Sequence, residues 1–183
     1  MTIIIKSFIL MTMINLKKVA LFVCVLSVGV LAQSSTAYSY TFVDQSVTKI
    51  NENTVLFEVK YRLNFLNRDT RTPVLASSRL GVDVPVISYS FVDKAGEEVA
   101  GVESVSMVLS SAGLHGNEYY LPAGTPGIFR LVSIVRTEAD FSTEGLALRV
   151  DRLPFTLISD EGEFDASVPS DNLPSYRTDY FMP

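Results

Sequence analysis

The sequence predicts an all-β fold, namely a single antiparallel β-sandwich that follows an N-terminal signal helix. Three observations support this prediction. Residues 55–65 alternate between apolar and mostly polar side chains, turn residues separate the candidate strands at short intervals, and no stretch after residue 37 sustains a helical period. The 146 residues from Tyr38 to Pro183 suit one domain that can bury a core of its own.

Residues 1–37 are typical of a secretory signal peptide. Lys17 and Lys18 precede an uncharged run over residues 19–32, and the small residues that end at Ala37 predict cleavage after that residue. Translation can also begin at Met11 or Met13. The uncharged run has 14 residues, whereas a membrane-spanning helix needs about 20. We therefore expect a secreted, periplasmic or cell-surface domain, and a membrane tether through an uncleaved N-terminal helix is the alternative.

Two candidate strands open the domain. The first spans Tyr40–Ile50. The second spans Val55–Phe65, where every second residue is apolar and the residues between them are mostly charged or polar. Successive side chains of a strand point to opposite faces, so this alternation predicts a long strand with one buried face.

Turn residues separate the strands that follow. Candidate strands lie at Pro73–Ala76, Val84–Val92, Val102–Ser110, Glu118–Leu121 and Gly127–Thr137. The sequence at 93–96 predicts a hairpin turn with glycine in the left-handed position. The proline- and glycine-rich residues 121–127 predict a tight reversal. The strand at 127–137 is partly apolar on both faces, which is typical of the centre of a sheet.

The last part of the chain changes character at residue 159. A candidate strand at Leu146–Ser159 contains Pro154, which cannot donate a ladder hydrogen bond, so we expect a break there. Residues 159–183 hold six acids, one base and three prolines, which predicts an extended or partly disordered tail with a short edge strand near Glu163–Val168. The tail ends in Tyr180 and Phe181, which are expected either to pack back on the domain or to contact a partner.

Charge and cysteine content exclude several classes of function. The leader holds three lysines, so the remaining chain carries 12 basic and 20 acidic residues and a net charge of about −8. This charge argues against binding to nucleic acid or to an anionic membrane surface. The one cysteine, Cys24, lies in the leader, so the domain has neither a disulfide nor a thiolate metal ligand.

The only histidine, His115, is the one candidate for a catalytic base. A serine hydrolase needs a nucleophile within reach of a base that a carboxylate orients, and the sequence lacks the Gly-x-Ser-x-Gly elbow. A solvated turn histidine is the simpler interpretation, so no catalytic residue is assigned.

Two polar segments are candidate binding sites. Four carboxylates surround a glycine, at Asp160, Glu161, Glu163 and Asp165, and form a candidate calcium site, although their spacing does not match an EF-hand. A solvated acidic run is the alternative. The second segment is the predicted loop with Arg68, Asp69 and Arg71, whose guanidinium groups can hold a carboxylate. No cofactor is expected.

The strand at Val55–Phe65, the reversal at Leu121–Gly127 and the strand at Phe129–Val135 together resemble an immunoglobulin-like or fibronectin-like β-sandwich. Such modules are common in exported bacterial proteins, and the resemblance covers about Tyr40 to Ile158. The cysteine pair and core tryptophan of antibody domains are absent from the sequence. The resemblance therefore implies a fold and carries no functional residue over.

These observations predict a non-catalytic, exported interaction module of the cell envelope or surface. Its partner is expected to be a protein or another cell-surface component. The alternative is a structural subunit of a surface assembly that pairs through its C-terminal tail or an edge strand. A hydrolase that uses His115 is a more distant alternative.

Overall fold

A computed structural model describes residues 38–78, 85–136 and 145–182. The predicted leader and its cleavage site at Ala37 lie outside these ranges. No helix within them is long and apolar enough to cross a membrane. Residues Thr36–Pro183 form one compact unit, and every residue of the hydrophobic core belongs to it.

The regular secondary structure of the described residues consists of strands and one short 3-10 turn. In chain order they are β1 (Tyr38–Asn51), β2 (Thr54–Phe65), β3 (Asp69–Pro73), β4 (Ala76–Ser77), β5 (Ile87–Val92), β6 (Ser104–Ser110), β7 (Gly113–His115), β8 (Glu118–Leu121), β9 (Gly127–Arg136), β10 (Ala147–Ser159), β11 (Gly162–Pro169) and the turn Ser170–Asn172. The all-β prediction is confirmed.

Two sheets make up the fold. The first has the strand order β1-β2-β9-β6 and is antiparallel throughout. The second has the order β4-β5-β10-β3-β8-β7, and β11 also pairs with β10. Its only parallel pair among the described strands is β4 with β5. The predicted β-sandwich therefore has a four-stranded layer and a seven-stranded layer.

Aromatic side chains from both sheets meet in the core. Phe57 of β2 contacts Phe91 of β5 with ring centroids 5.5 Å apart, and Phe65 contacts Phe155 of β10 at 4.8 Å. The alternate residues of β2 from Val55 to Phe65 are all buried, as the sequence predicted. Burying each such side chain contributes about 1.5–3 kcal/mol, so this strand is a main source of stability.

The predicted turn at residues 93–96 is confirmed. The Asp93 carboxylate accepts hydrogen bonds from the backbone N–H groups of Ala95 and Glu97, at 2.8 and 3.0 Å. Gly96 adopts φ 87°, a left-handed conformation that glycine reaches without a steric cost.

The segment predicted as a polar loop after β2 instead contains strand β3. Thr70 and Thr72 are buried, whereas Asp69 and Arg71 project from the opposite face. The alternation of strand side chains lets these charged residues remain partly exposed while the threonines pack inward. The strand predicted at Pro73–Ala76 is therefore misplaced, because pairing extends from residue 69 to 73 and resumes only briefly at β4.

The expected break at Pro154 is wrong, because β10 continues from Ala147 to Ser159. The pairs between β10 and β5 end at Arg152, and those between β10 and β3 begin at Thr156. The Pro154 carbonyl lies between these stretches and accepts a hydrogen bond of 3.2 Å from the Thr72 hydroxyl. The missing proline N–H thus removes no bond of these two ladders, and β11 pairs with β10 alongside the proline, with Ser167 opposite Pro154.

The acidic C-terminal segment belongs to the second sheet. Strand β11 forms the edge strand that the sequence predicted near Glu163–Val168. Farther along, the Val150 N–H donates to the Tyr176 carbonyl at 2.8 Å, and Leu146 and Phe181 exchange two backbone hydrogen bonds. Tyr176 is buried against the core. The change of composition at residue 159 therefore does not coincide with the end of the sandwich.

Candidate functional site

The outer face of the second sheet collects most of the polar residues that the sequence singled out. Strand pairing places Tyr120 beside Arg71, Arg71 beside Thr156, and Thr156 beside Asp165, in one row across β8, β3, β10 and β11. We call these residues, together with Asp69, Glu118 and Glu163, the second-sheet network. Residues that are far apart in sequence thus lie on one surface.

Arg71 is the centre of the second-sheet network. Its guanidinium pairs with Glu118 at 3.2 Å and with Glu163, and both partners are partly exposed. Charge-assisted pairs of this kind fix the relative position of three strands, although exposure to water limits their contribution to stability. Arg71 therefore holds carboxylates of its own chain.

The calcium candidates do not converge on one point. Glu163 is paired with Arg71, and Asp165 accepts a hydrogen bond of 2.7 Å from the Thr156 hydroxyl. Asp160 and Glu161 are exposed in the turn between β10 and β11. No group of three or more potential ligands that could hold a metal ion occurs in the described ranges. The geometry thus assigns two of these carboxylates to contacts within the sheet.

Asp69 fastens the reversal at residues 121–127. Its carboxylate accepts hydrogen bonds from the Tyr120 hydroxyl and, at 2.8 Å, from the Ala123 backbone N–H. The hydrogen bond from Tyr120 lowers the pKa of Asp69 because it stabilises the carboxylate, and the same bond raises the pKa of Tyr120. Nearby, the Arg68 guanidinium lies 6.0 Å from the Phe164 ring centroid.

His115 is exposed on β7, beside the second-sheet network. Its ring centroid lies 6.4 Å from that of Tyr120. Within the described part of the chain, it makes no hydrogen bond to a serine hydroxyl or a carboxylate, so the contacts of a catalytic triad are not seen in these residues.

The aromatic C-terminus lies against its own domain. Phe181 is bound to Leu146 by backbone hydrogen bonds of 3.0 and 2.7 Å. The Tyr180 ring lies 5.7 Å from the Arg177 guanidinium, which also donates to the Tyr180 hydroxyl at 3.3 Å. Tyr180 and Phe181 were expected either to pack back on the domain or to contact a partner. In the structure they pack on the domain.

The surface that the sequence analysis missed is the outer face of the first sheet. Three of the four apolar side chains of strand β6, those of Val105, Met107 and Leu109, face solvent. Val105 is 72% exposed and Met107 is 51% exposed, while Ser104, Ser106 and Val108 face inward. An isolated exposed apolar residue is ordinary, whereas a row of them on one strand makes this surface a candidate functional site.

Hydrogen bonds of the inward serines hold β6 in this register. The Ser104 hydroxyl contacts the Tyr89 hydroxyl at 2.8 Å, Ser106 donates to the Ala76 carbonyl at 3.1 Å, and Ser110 donates to the Ile128 carbonyl at 2.9 Å. A slip of one residue would bury Val105 and Met107 but would break these bonds. The outward position of the apolar side chains is therefore fixed by specific contacts.

Cross-strand neighbours extend the exposed row into a patch. Ile134 lies between Val105 and Leu56, and Val132 lies beside Met107. We define the apolar face as these outward residues of β2, β6 and β9: Leu56, Val105, Met107, Leu109, Val132 and Ile134. Serine alternates with Val and Met in residues 104–107, which is the sequence signal, but this alternation alone does not say which set faces the core.

A groove of about 890 Å³ opens at one end of the apolar face. Val105 and Ile134 belong to both, and Glu98, Glu103 and Arg136 supply charged groups along the groove wall. The groove and the apolar face thus form a continuous surface on which an extended partner segment could lie.

Comparison with known proteins assigns no family to the chain. No family model matches it, and no curated protein matches it. Among solved structures, the structural genomics target SoR45 aligns with a TM-score of 0.35 and 12% identity over 78% of this chain and 83% of that chain. The yeast GGA1 GAE domain aligns with a TM-score of 0.28 and 11% identity over 76% and 95% of the two chains. Function is therefore inferred from the chain's own residues.

Proposed function

We propose that this protein is an exported, non-catalytic interaction module with an immunoglobulin-like β-sandwich. In this proposal it acts at the cell envelope or surface and binds a protein through the apolar face. The observation that carries the proposal is strand β6, whose Val105 and Met107 face solvent while its serines are hydrogen-bonded inside. Export is proposed from residues 1–37, which have the pattern of a signal peptide.

We propose binding through the first sheet because the polar groups on the outer face of the second sheet already bind one another. Arg71 is paired with two carboxylates, and Asp69 and Asp165 each accept hydrogen bonds from their own chain. By contrast, the apolar face offers side chains that gain free energy when a partner removes them from water. At about 25 cal/mol per Å² of apolar area, a few such residues supply enough free energy to determine binding.

Capture from an envelope extract tests the proposal. Immobilised residues 38–183 are compared with Met107→Glu, which places a charge in the centre of the apolar face. Ile50→Glu is the matched control, because Ile50 is exposed to a similar extent, 54%, and lies outside the apolar face. We expect a protein that binds the wild type and the control but not the Met107 variant. Identical captured proteins for all three chains would refute the proposal.

The structural-subunit alternative is supported by the position of β1. This 14-residue strand lies at the edge of the first sheet and, among the described strands, pairs only with β2. An edge of this length can accept a strand from another chain. Val43→Pro would block such pairing at the edge. If the wild type forms a high-mass assembly and this variant does not, the result would favour the structural-subunit alternative. Retention of that assembly would exclude pairing through this edge.

A further inference from the structure

We propose that the partner of the apolar face is an acidic protein segment, with apolar side chains at its centre and carboxylates around them. This inference rests on the proposed function, because it names the chemistry of the partner that would bind the same face. It follows from the charges that surround the apolar face.

The first sheet is basic although the domain is acidic. Its strands contain five bases and two acids: Lys49, Lys60, Arg62, Arg130 and Arg136 against Asp44 and Glu58. The chain after residue 37 carries 12 basic and 20 acidic residues in total. The excess of negative charge therefore lies elsewhere in the molecule, and the strands that carry the apolar face have a net positive charge.

The basic side chains adjoin the apolar face directly. In the strand register, Arg130 lies between Lys60 of β2 and Leu109 of β6. Arg130 also pairs with Glu58 at 3.6 Å, whereas Glu98 and Glu103 line the groove at the other end of the patch, on the same wall as Arg136. Arg62 and Arg136 have no ion-pair partner in the part of the chain that the structure describes. A carboxylate partner would thus meet unpaired guanidinium groups at the margin of an apolar surface.

The same charges disfavour two other occupants. A second copy placed symmetrically on this face would set one basic layer against another, because an isologous interface brings identical surfaces together. An anionic membrane would be repelled by the net charge of the whole domain over the distance at which it approaches. An acidic protein segment is subject to the same long-range repulsion, but it carries far less charge than a membrane surface and at contact meets only the basic layer.

Two synthetic peptides test the inference against residues 38–183. Both peptides have the same central run of alternating Val and Leu residues. Glutamates flank this run in one peptide, and lysines flank it in the other. Binding is measured by fluorescence anisotropy at low salt and at about 0.5 M salt. We expect the glutamate peptide to bind at least about tenfold more tightly than the lysine peptide, and salt to reduce this difference.

Variants locate the binding to this face. Arg62→Glu and Arg136→Glu should each weaken the glutamate peptide several-fold and leave circular dichroism unchanged. Lys94→Glu is the matched control, because it reverses a charge in the exposed turn at residues 93–96. Met107→Glu should abolish binding of the peptide.

The possible outcomes separate the inference from the proposed function. Equal binding of both peptides, or binding of neither, overturns the acidic partner. If the wild type still captures a protein from the extract that Met107→Glu does not capture, the proposed function stands even though the partner is not acidic. Sedimentation that shows a dimer lost in Met107→Glu would overturn the inference in favour of a second copy. Binding to vesicles of phosphatidylcholine with phosphatidylglycerol, if lost in the same variant, would overturn it in favour of a membrane.

Discussion

Replacing Tyr176 by alanine should destabilise the whole sandwich, although this residue lies only seven positions before the end of the chain. Its ring contacts Phe42 at 5.9 Å, Tyr61 at 6.0 Å and Tyr40 at 6.4 Å between centroids. Its carbonyl also accepts a hydrogen bond from Val150 of β10. One side chain thus connects the C-terminal segment of the second sheet to β1 and β2 of the first.

The magnitude follows from the burial of this ring. Tyr176 is 4% exposed, so truncation to alanine removes a nearly complete aromatic side chain from the core. Large-to-small changes of this kind cost about 3–5 kcal/mol. Because a domain of this size has about 5–15 kcal/mol of total stability, the variant should lose about a fifth of it or more. With a urea m-value of about 2 kcal/mol/M, the midpoint should fall by about 2 M.

Urea unfolding of residues 38–183, followed by far-UV circular dichroism, measures this loss. Tyr176→Phe keeps the ring and should change the stability by about 1 kcal/mol or less, because the Tyr176 hydroxyl has no hydrogen-bond partner among the described residues. Tyr180→Ala removes an aromatic ring near the C-terminus that is less buried, and it should also cost about 1 kcal/mol or less. If the Tyr176 and Tyr180 alanine variants unfold at the same urea concentration, the C-terminal segment is not integral to the core.

Three further predictions concern buried hydroxyl groups and metal binding. Burial raises the pKa of Tyr61 far above its ordinary value of about 10, so its contribution to stability is present below pH 10 and is lost as the pH rises further. Circular dichroism should therefore show that the protein unfolds above pH 10, and the Tyr61→Phe variant should unfold at a higher pH. If both proteins unfold at the same pH, ionisation of Tyr61 does not cause the unfolding. Ser133 is fully buried and its hydroxyl has no partner among the described residues, so Ser133→Ala should stabilise the protein by about 1 kcal/mol in calorimetry, and a loss of stability would contradict this account. Excess calcium should leave the melting temperature unchanged, because Glu163 is paired with Arg71 and Asp165 is hydrogen-bonded to Thr156. A rise of several degrees would show that the protein binds calcium and would contradict this prediction.

Local sequence patterns predicted the parts of the fold that depend on near neighbours. The alternation of Val55–Phe65 identified a buried strand face, and the residues at 93–96 identified a turn. Both signals are contained within a few residues. The edge strand near Glu163–Val168 was also predicted, since its polar and apolar residues alternate over a short span.

Features that depend on distant partners were not predictable in the same way. Pro154 is accommodated because the pairing with β5 ends before it and the pairing with β3 begins after it, while β11 pairs alongside it. Strand β3 forms where a loop was expected, because β8 and β10 pair with it on both sides. The apolar face was missed because the orientation of β6 depends on Tyr89 and Ala76, which are far from it in sequence.

The position of β10 has a consequence for the order in which the fold can be completed. This central strand pairs with β3 and β5, which precede it by many residues, and with β11 and the segment up to Phe181, which follow it. During synthesis in the N-to-C direction, β1 and β2 therefore emerge long before their covering layer exists. Such non-local pairing is slow, and the two layers can join fully only after β10 and the segment up to Phe181 have been made.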